Sequence, residues 1–404
     1  MRLSVATNFD DDLILGVGGY PVTELYGKLP ADPVGGGRSS YMLAPLSRRA
    51  LARHVALARK HGIGFNYLLN AACLDNMEAT RRGQKGLRRL LDWISEIGVT
   101  AVTLSNPLLL RTVKARYPQL KVRVSVFAGV DHLRRARYWQ DIGADVICLD
   151  SLTVNREFRT LGLLRRSLSC DLELLVNNSC LQSCSLSQTH MNLLAHSSQS
   201  DHASRGFVID HCILECSRLK MTDPVNFIRA DWIRPEDLHH YEAIGYDRFK
   251  LVERNLPTPV MLTRVRAYSE RRYDGNLVDL IQPYGHCDDG GSRGGRRLRW
   301  SLSFLLRPSK VRIRRLGAIR ELVARKGMLG PLRGEPPVFI DNRSLDGFID
   351  RFLRQGCRDL SCDECRYCHE YADRAVRVDP AYREDCLRLH RAIDKDLESG
   401  ALWL

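Results

Sequence analysis

The sequence predicts a (β/α)8 TIM-like barrel followed by a small cysteine-rich C-terminal unit. Three observations lead there. Eight short apolar runs fall in the first 255 residues, amphipathic helical patterns separate several of them, and glycine follows three of those helices. Alternation of strand and helix implies a parallel sheet. Eight strands in about 250 residues fit a closed barrel better than an open sheet. No GxGxxG follows a first strand, so a dinucleotide fold has no support.

The runs are LILGV (13–17), IGFNYLL (63–69), TAVTLS (100–105), VRVSVF (122–127), DVICL (145–149), LELLV (172–176), FVID (207–210) and DRFKLV (247–252). Helices are predicted over Ser47 to His61, Lys85 to Ile97 and His132 to Ile142. Ser47 can cap the first, where Leu51, Val55 and Ala58 recur at helical spacing. Gly62, Gly98 and Gly143 stand where left-handed C-caps are wanted. Barrel ligands gather at the C-terminal ends of strands. That directs attention to Gly16 to Tyr20, Asn70, Ser105 to Pro107, Asp150, Asn177 to Cys184 and Glu253 to Asn255.

The chain has 404 residues, 44% hydrophobic and 27% charged, a globular mix that excludes collagen and wholesale disorder. No run of 18 apolar residues occurs, and acid follows closely on the N-terminus in MRLSVATNFDDD, so a cytoplasmic location is expected. The organisation predicted is a barrel over 1–283, a basic linker and helical segment over 284–335, and a metal-binding unit over 336–404. Within the middle segment RRLRWSLSFLL reads as a strand and VRIRRLGAIRELVARKG as a basic helix with Ile313, Leu316, Ile319 and Val323 on one side. Residues 291–330 hold 12 basic residues and one acid, hence +11 of the net +14. Arg293, Arg296, Arg297, Arg299, Arg307, Lys310, Arg312, Arg314 and Arg315 surround Trp300 and Phe304. This pattern suits RNA, an anionic membrane or an acidic partner protein, or simply a solvated face.

Eight of the thirteen cysteines form two groups; Cys73, Cys148, Cys170, Cys287 and Cys386 are scattered. Grouped thiols in a cytosolic chain point to metal. The first group is two pairs, Cys180 with Cys184 and Cys212 with Cys216, each after a strand-like run. A barrel would bring both pairs to one rim, where four thiolates could hold a [4Fe–4S] cluster or zinc. The second group is Cys357, Cys362, Cys365 and Cys368, spaced C-x4-C-x2-C-x2-C. It suits a second iron–sulfur cluster or a structural zinc.

The stretch from Asn177 through Cys180 and Cys184 to CILECSR (212–218) resembles the collagenase-like peptidase family U32. HGIGFNYLLN (61–70), VSVFAGVDHLRRARYWQDIGADVICLD (124–150) and IGYDRFKLVERN (244–255) resemble that family in the same order, over roughly residues 1 to 275. The resemblance implies a TIM barrel. It also implies a [4Fe–4S] cluster on Cys180, Cys184, Cys212 and Cys216, because the family includes O2-independent ubiquinone and RNA hydroxylases. A hetero-oligomer with another family member is a further expectation. Asn177 and Asn178 would then border the cofactor, while Lys250, Glu253 and Arg254 would shape the pocket, Arg254 clamping a carboxylate. The peptidase alternative would use a Cys180–His190 dyad, but a thiolate committed to metal is not a free nucleophile. A third reading is a metal-stabilised scaffold that binds a partner through its basic segment.

Overall fold

The computed structural model describes residues 1–40, 43–204, 206–281, 307, 309–326, 335–358 and 360–404. Eight parallel strands close into a barrel in chain order: β1 (Arg2–Ala6), β2 (Val22–Gly27), β3 (Gly64–Leu69), β4 (Ala101–Leu104), β5 (Lys121–Val124), β6 (Val146–Cys148), β7 (Asp171–Leu175) and β8 (Arg248–Leu251). β8 closes on β1 in the register Arg2 to Arg248 through Val5 to Leu251. The barrel predicted from sequence is therefore present, although two of its strands lie elsewhere.

LILGV is the core of a helix, Asp11–Gly16. Asp10 caps it, accepting from the Asp12 N–H, and Asp11 and Asp12 lie in the first turn, where the helix dipole favours acid. FVID is not a strand either; it leads to Asp210, which caps the helix His211–Thr222. The first two strands are RLSVA and VTELYG. Gly16 to Tyr20 is thus no strand end, and Thr7 and Lys28 take that place. Helix prediction fares better. Ser47 caps Arg48–Lys60, and Gly62, Gly98 and Gly143 all have positive φ. The helix read from Lys85 starts a turn earlier, at Arg81, because Thr80 caps it.

The chain forms two compact units. The first holds the barrel, Met1–Val208 with Asp231–Tyr273, and also Gly347–Ser361. That last segment is fastened by Arg156, whose guanidinium lies 4.6 Å from the Trp232 ring centre and 4.9 Å from that of Phe348. Stacking of this kind is worth about 2 kcal/mol when desolvated.

The second unit comprises Ile209–Ala230, Asp274–Asp346 and Cys362–Leu404. It contains the antiparallel pair β9 (Val338–Ile340) and β10 (Val376–Val378). Helix Gly317–Arg325 packs on helix Pro380–Glu398, burying Leu322, Leu389 and Ile393. Residues 209–230, inside the segment 1–283 read as barrel, group with this unit.

Of the basic segment, the proposed strand, Arg293, Arg296, Arg297, Arg299, Trp300 and Phe304 lie outside the described residues, as does Cys287. The predicted helix is a 3-10 turn, Ile313–Leu316, followed by Gly317–Arg325. Its buried anchors are Val311, Leu316 and Leu322, whereas Ile313 is exposed. Arg315 and Arg325 pair with Asp396 and Asp385, so part of this positive charge is neutralised locally.

Candidate active site at the barrel mouth

The lumen of this barrel is polar. Arg123 on β5 reaches Glu24 on β2 at 2.6 Å and Glu173 on β7 at 3.2 Å. Ser4 and Asn66 donate to the same Glu24 oxygen, and Thr103 donates to Asn66. Barrels are commonly filled by branched apolar side chains; here a charged floor takes that place. Above it, the Lys250 ammonium sits 4.3 Å from the centre of the Tyr26 ring. Burial, with Glu173 beside it, pushes the Cys148 thiol up to about 12.

The mouth is covered by the loop that leaves β2. Asp32 is its hub. It pairs with Lys28 at 2.9 Å, accepts from the Tyr67 hydroxyl at 2.8 Å, and accepts from the Val34 and Gly35 N–H groups. The loop then runs Gly35-Gly36-Gly37. Gly35 has φ +80° and lies against the Ala195 carbonyl; a Cβ at Gly36 would meet Asn70, and one at Gly37 would meet Phe127. Glycine is needed because the backbone approaches the mouth this closely. Beyond it, Arg38 pairs with Glu253 at 2.9 Å.

Glu253 itself has φ +93°, a left-handed conformation at a non-glycine residue. Such strain costs about 1–3 kcal/mol and persists only where its surroundings enforce it. Glu253 raises the Arg38 pKa, and Cys180 lies close enough to contribute in the same direction. Arg254 follows. It is 7% exposed, and its Nη1 is buried without a hydrogen-bond partner. Burial first, and repulsion from Arg38 second, lower its pKa to about 10.

Asn177 closes the tops of β7 and β8: its Oδ1 accepts from the Val252 N–H at 2.7 Å, and its Nδ2 donates to the Val252 carbonyl. Asn178 donates to Asp231 at 3.1 Å and accepts from the Cys180 thiol at 3.4 Å. Asp231 is buried, which pushes its carboxyl up to about 6. Its N–H bonds the Cys180 carbonyl, so the loop carrying Cys180 and Cys184 is pinned beside the barrel rim. Cys212 and Cys216 lie one turn apart on one face of His211–Thr222, in the other unit. The second group divides likewise: Cys357 belongs to the barrel unit, held by its N–H to Glu157 at 2.8 Å, and Cys362, Cys365 and Cys368 belong to the other. Among the described residues, no three Cys, His, Asp or Glu side chains already converge as a cage. His190 is half-buried on helix Ser187–His196.

Sequence reading missed Lys28, Asp32, Arg38 and the triple glycine. The GGGRSS run is the available signal, but it points to a barrel mouth only if VTELYG is read as a strand, and its polar residues hide that.

One alignment at the mouth resembles a hydrolytic triad. The Asp11 carboxylate can only accept, so at 3.2 Å it takes the proton on His54 Nδ1; Nε2 of the neutral ring then accepts from the Thr7 hydroxyl at 2.8 Å, while the Thr7 oxygen accepts from the Phe9 N–H. Thr7 is 0% exposed, and the assembly anchors the loop rather than presenting a nucleophile. Burial lowers the His54 pKa below its usual 6.5, with Asp11 opposing. The fold therefore favours neutral imidazole. Stability from this site is complete above pH 6.5 and drains as pH falls toward the lowered folded value. Melting temperature should drop between pH 7 and 5 more for the natural chain than for His54→Gln. Parallel curves would remove His54 from the pH response.

A recess lined by Lys114, Asp145, Ser169 and Asp171 lies at the opposite end, where β6 and β7 begin. Barrels keep stability rather than chemistry there. Among the described residues no helix is long and apolar enough to cross a membrane.

Fold and site together define a (β/α)8 barrel whose mouth is polar, rich in cations and roofed by a glycine loop. The family profile of peptidase family U32 matches residues 38–255, and the chain belongs to that family. It is similar to an uncharacterized protease of Methanocaldococcus jannaschii, 30% identical over 328 residues, covering 81% of this chain and 82% of that protein. It is also similar to a U32 peptidase of known structure, 20% identical with a TM-score of 0.48, covering 64% of this chain and 94% of the other.

Proposed function

We propose that the chain is an iron–sulfur-dependent modifying enzyme of the U32 family that works at the barrel mouth without O2. The observation that carries this reading is Cys180, pinned at the rim beside Asp231 and within electrostatic reach of Arg38 and its partner Glu253. The donor set also fits. Cys180 and Cys184 lie on one short loop and Cys212 and Cys216 on one helix face, and thiolates are the ligands iron–sulfur clusters take. When bound, the group would supply redox activation of a small oxygen-bearing co-substrate. The chain's own residues do the rest. Arg38 adds positive charge beside the thiol, the Asp32 loop shields the mouth from water, and Lys250 and Arg254 supply cations where substrate would enter. Cys357, Cys362, Cys365 and Cys368 would hold a second centre, iron–sulfur or zinc. The described part of 291–330 would offer a surface to RNA, an anionic membrane or an acidic partner.

The peptidase reading draws on the family name and on the M. jannaschii relative, itself called a protease. A Cys180 committed to metal could not also serve as the nucleophile of a Cys180–His190 dyad, and this weighs against a thiol protease.

The test is anaerobic reconstitution with iron and sulfide counts for the natural chain, Cys180→Ala and Cys212→Ala. Both variants should lose the rim iron and the visible absorption while circular dichroism stays unchanged. Undiminished iron in both would overturn the reading, and casein hydrolysis by iron-free protein would put the peptidase first.

A further inference from the structure

We infer that His196 and His202 form an acid-sensitive latch, which holds the glycine roof of the barrel mouth closed at neutral pH and releases it in mild acid. The inference stands apart from the iron–sulfur reading and concerns access to the mouth. Its ground is where the two rings sit. They stack face to face, with centres 4.6 Å apart and planes 10° from parallel. His196 ends helix Ser187–His196, and the residues between the two rings are the far anchor of the roof. Ser198 Oγ accepts from the Gly36 N–H at 2.9 Å, and the Ser197 carbonyl accepts from the Ser40 hydroxyl at 2.9 Å. Gln199 donates to the Val34 carbonyl, and the Ser200 N–H donates to the Asp32 carbonyl at 2.9 Å. The rings thus close the base of a short loop that ties down the roof from Asp32 to Ser40.

The closed form requires neutral imidazoles. The Ser204 N–H donates to His202 Nδ1 at 3.1 Å, so that nitrogen carries no proton, and the Ser204 hydroxyl donates to the His196 carbonyl at 3.2 Å. Ser204 therefore fastens both ends of the loop. Protonating His202 puts a hydrogen on Nδ1, where it faces the Ser204 N–H, and that bond is lost. His196 Nε2 is buried with no hydrogen-bond partner among the described residues, so a proton arriving there finds no acceptor. Two cations stacked at this distance also repel. Burial first, and His202 second, lower the His196 pKa from its usual 6.5; Asp75, on the loop after β3, opposes them. Asp201, between the rings, is exposed and already paired with Arg82 at 3.1 Å. The fold therefore favours the uncharged pair. Its hold is complete above pH 6.5 and drains as pH falls toward the lowered folded value. Both side chains are half-buried, so protons reach them without prior unfolding.

The test is amide hydrogen exchange of the full chain, read as protection factors over residues 33–40 so that the intrinsic pH dependence of exchange cancels. Between pH 7 and pH 5 protection should fall about tenfold in the natural chain. It should fall less than about twofold in His202→Asn, whose amide oxygen can accept from Ser204 at either pH, and in His196→Phe, which stacks without charging. His54→Gln should keep the full fall; its loss there would give the response to His54 and end the latch. A fall below about twofold in the natural chain, or the full fall in both latch variants, would overturn it. Histidine NMR titration of the natural chain reads the same coupling with no substitution that could disturb the fold. His196 and His202 should titrate as a linked pair, each protonation holding back the other. Two independent titrations would overturn the latch as well.

Discussion

Replacing Arg123 by Met should cost the barrel about 3–5 kcal/mol, because removing one partner strands buried opposite charge. Burial works against the Arg123 charge, but Glu173 and Glu24 outweigh it and hold the guanidinium ionised. Both carboxylates lean on the same Nη1, at 3.2 and 2.6 Å. Without it they would face one another across the lumen, with only Ser4, Asn66 and Lys250 to offset them. The measurement is urea unfolding of the natural chain, Arg123→Met, and the triple variant that adds Glu24→Gln and Glu173→Gln. The single variant should regain part of its stability as pH falls and the stranded carboxylates protonate. The triple variant should recover most of the loss at neutral pH. A single-variant cost below about 1 kcal/mol would mean that the lumen charges are hydrated and the floor is not a closed network.

This network shows why the barrel was legible in the sequence while its chemistry was only partly so. Alternation of apolar runs and helices located six strands, since burial on the outer face of each strand leaves a local pattern. The inner face carries Ser4, Glu24, Asn66, Arg123 and Glu173, which read as surface residues along the chain. Their partners are contributed by different strands, so no local spacing announces them. The same blindness cost β2: VTELYG holds a glutamate that looks exposed and is half-buried against Arg123. LILGV failed differently. A short apolar run fits helix or strand equally, and the Asp10 cap that decides it reads along the chain only as part of an acidic N-terminal stretch. Cysteine spacing singled out the Cys180 loop, and the structure places that loop at the rim. Lys28, Asp32 and the glycine roof were invisible because a loop's role depends on the strand before it.

Asp32→Ala should be the most damaging substitution in the roof, with a cost of about 3–5 kcal/mol and loss of the closed mouth. Asp32 is 3% exposed and satisfies four groups at once: the Lys28 ammonium, the Tyr67 hydroxyl and the N–H groups of Val34 and Gly35. Alanine would leave Lys28 buried beside Arg254 with no counter-charge, which is the expensive arrangement. Burial already lowers the Lys28 pKa, and Asp32 is what opposes that fall. Lys28 in the variant should therefore become neutral or swing out, carrying the Gly35–Gly37 backbone with it. Asp32→Asn discriminates between the two tasks of this residue. Its Oδ1 can still accept from the turn N–H groups, so the loop should hold its path, but the ion pair is gone. Amide hydrogen exchange over residues 33–40 should rise by orders of magnitude in the alanine variant and only modestly in the asparagine variant. If both leave exchange unchanged, the loop is held by its contacts with Ser197 and Ser198 instead, through the bonds from Ser198 to Gly36 and from Ser40 to Ser197. If asparagine loosens the loop as much as alanine does, the ion pair rather than the turn is what keeps the mouth closed.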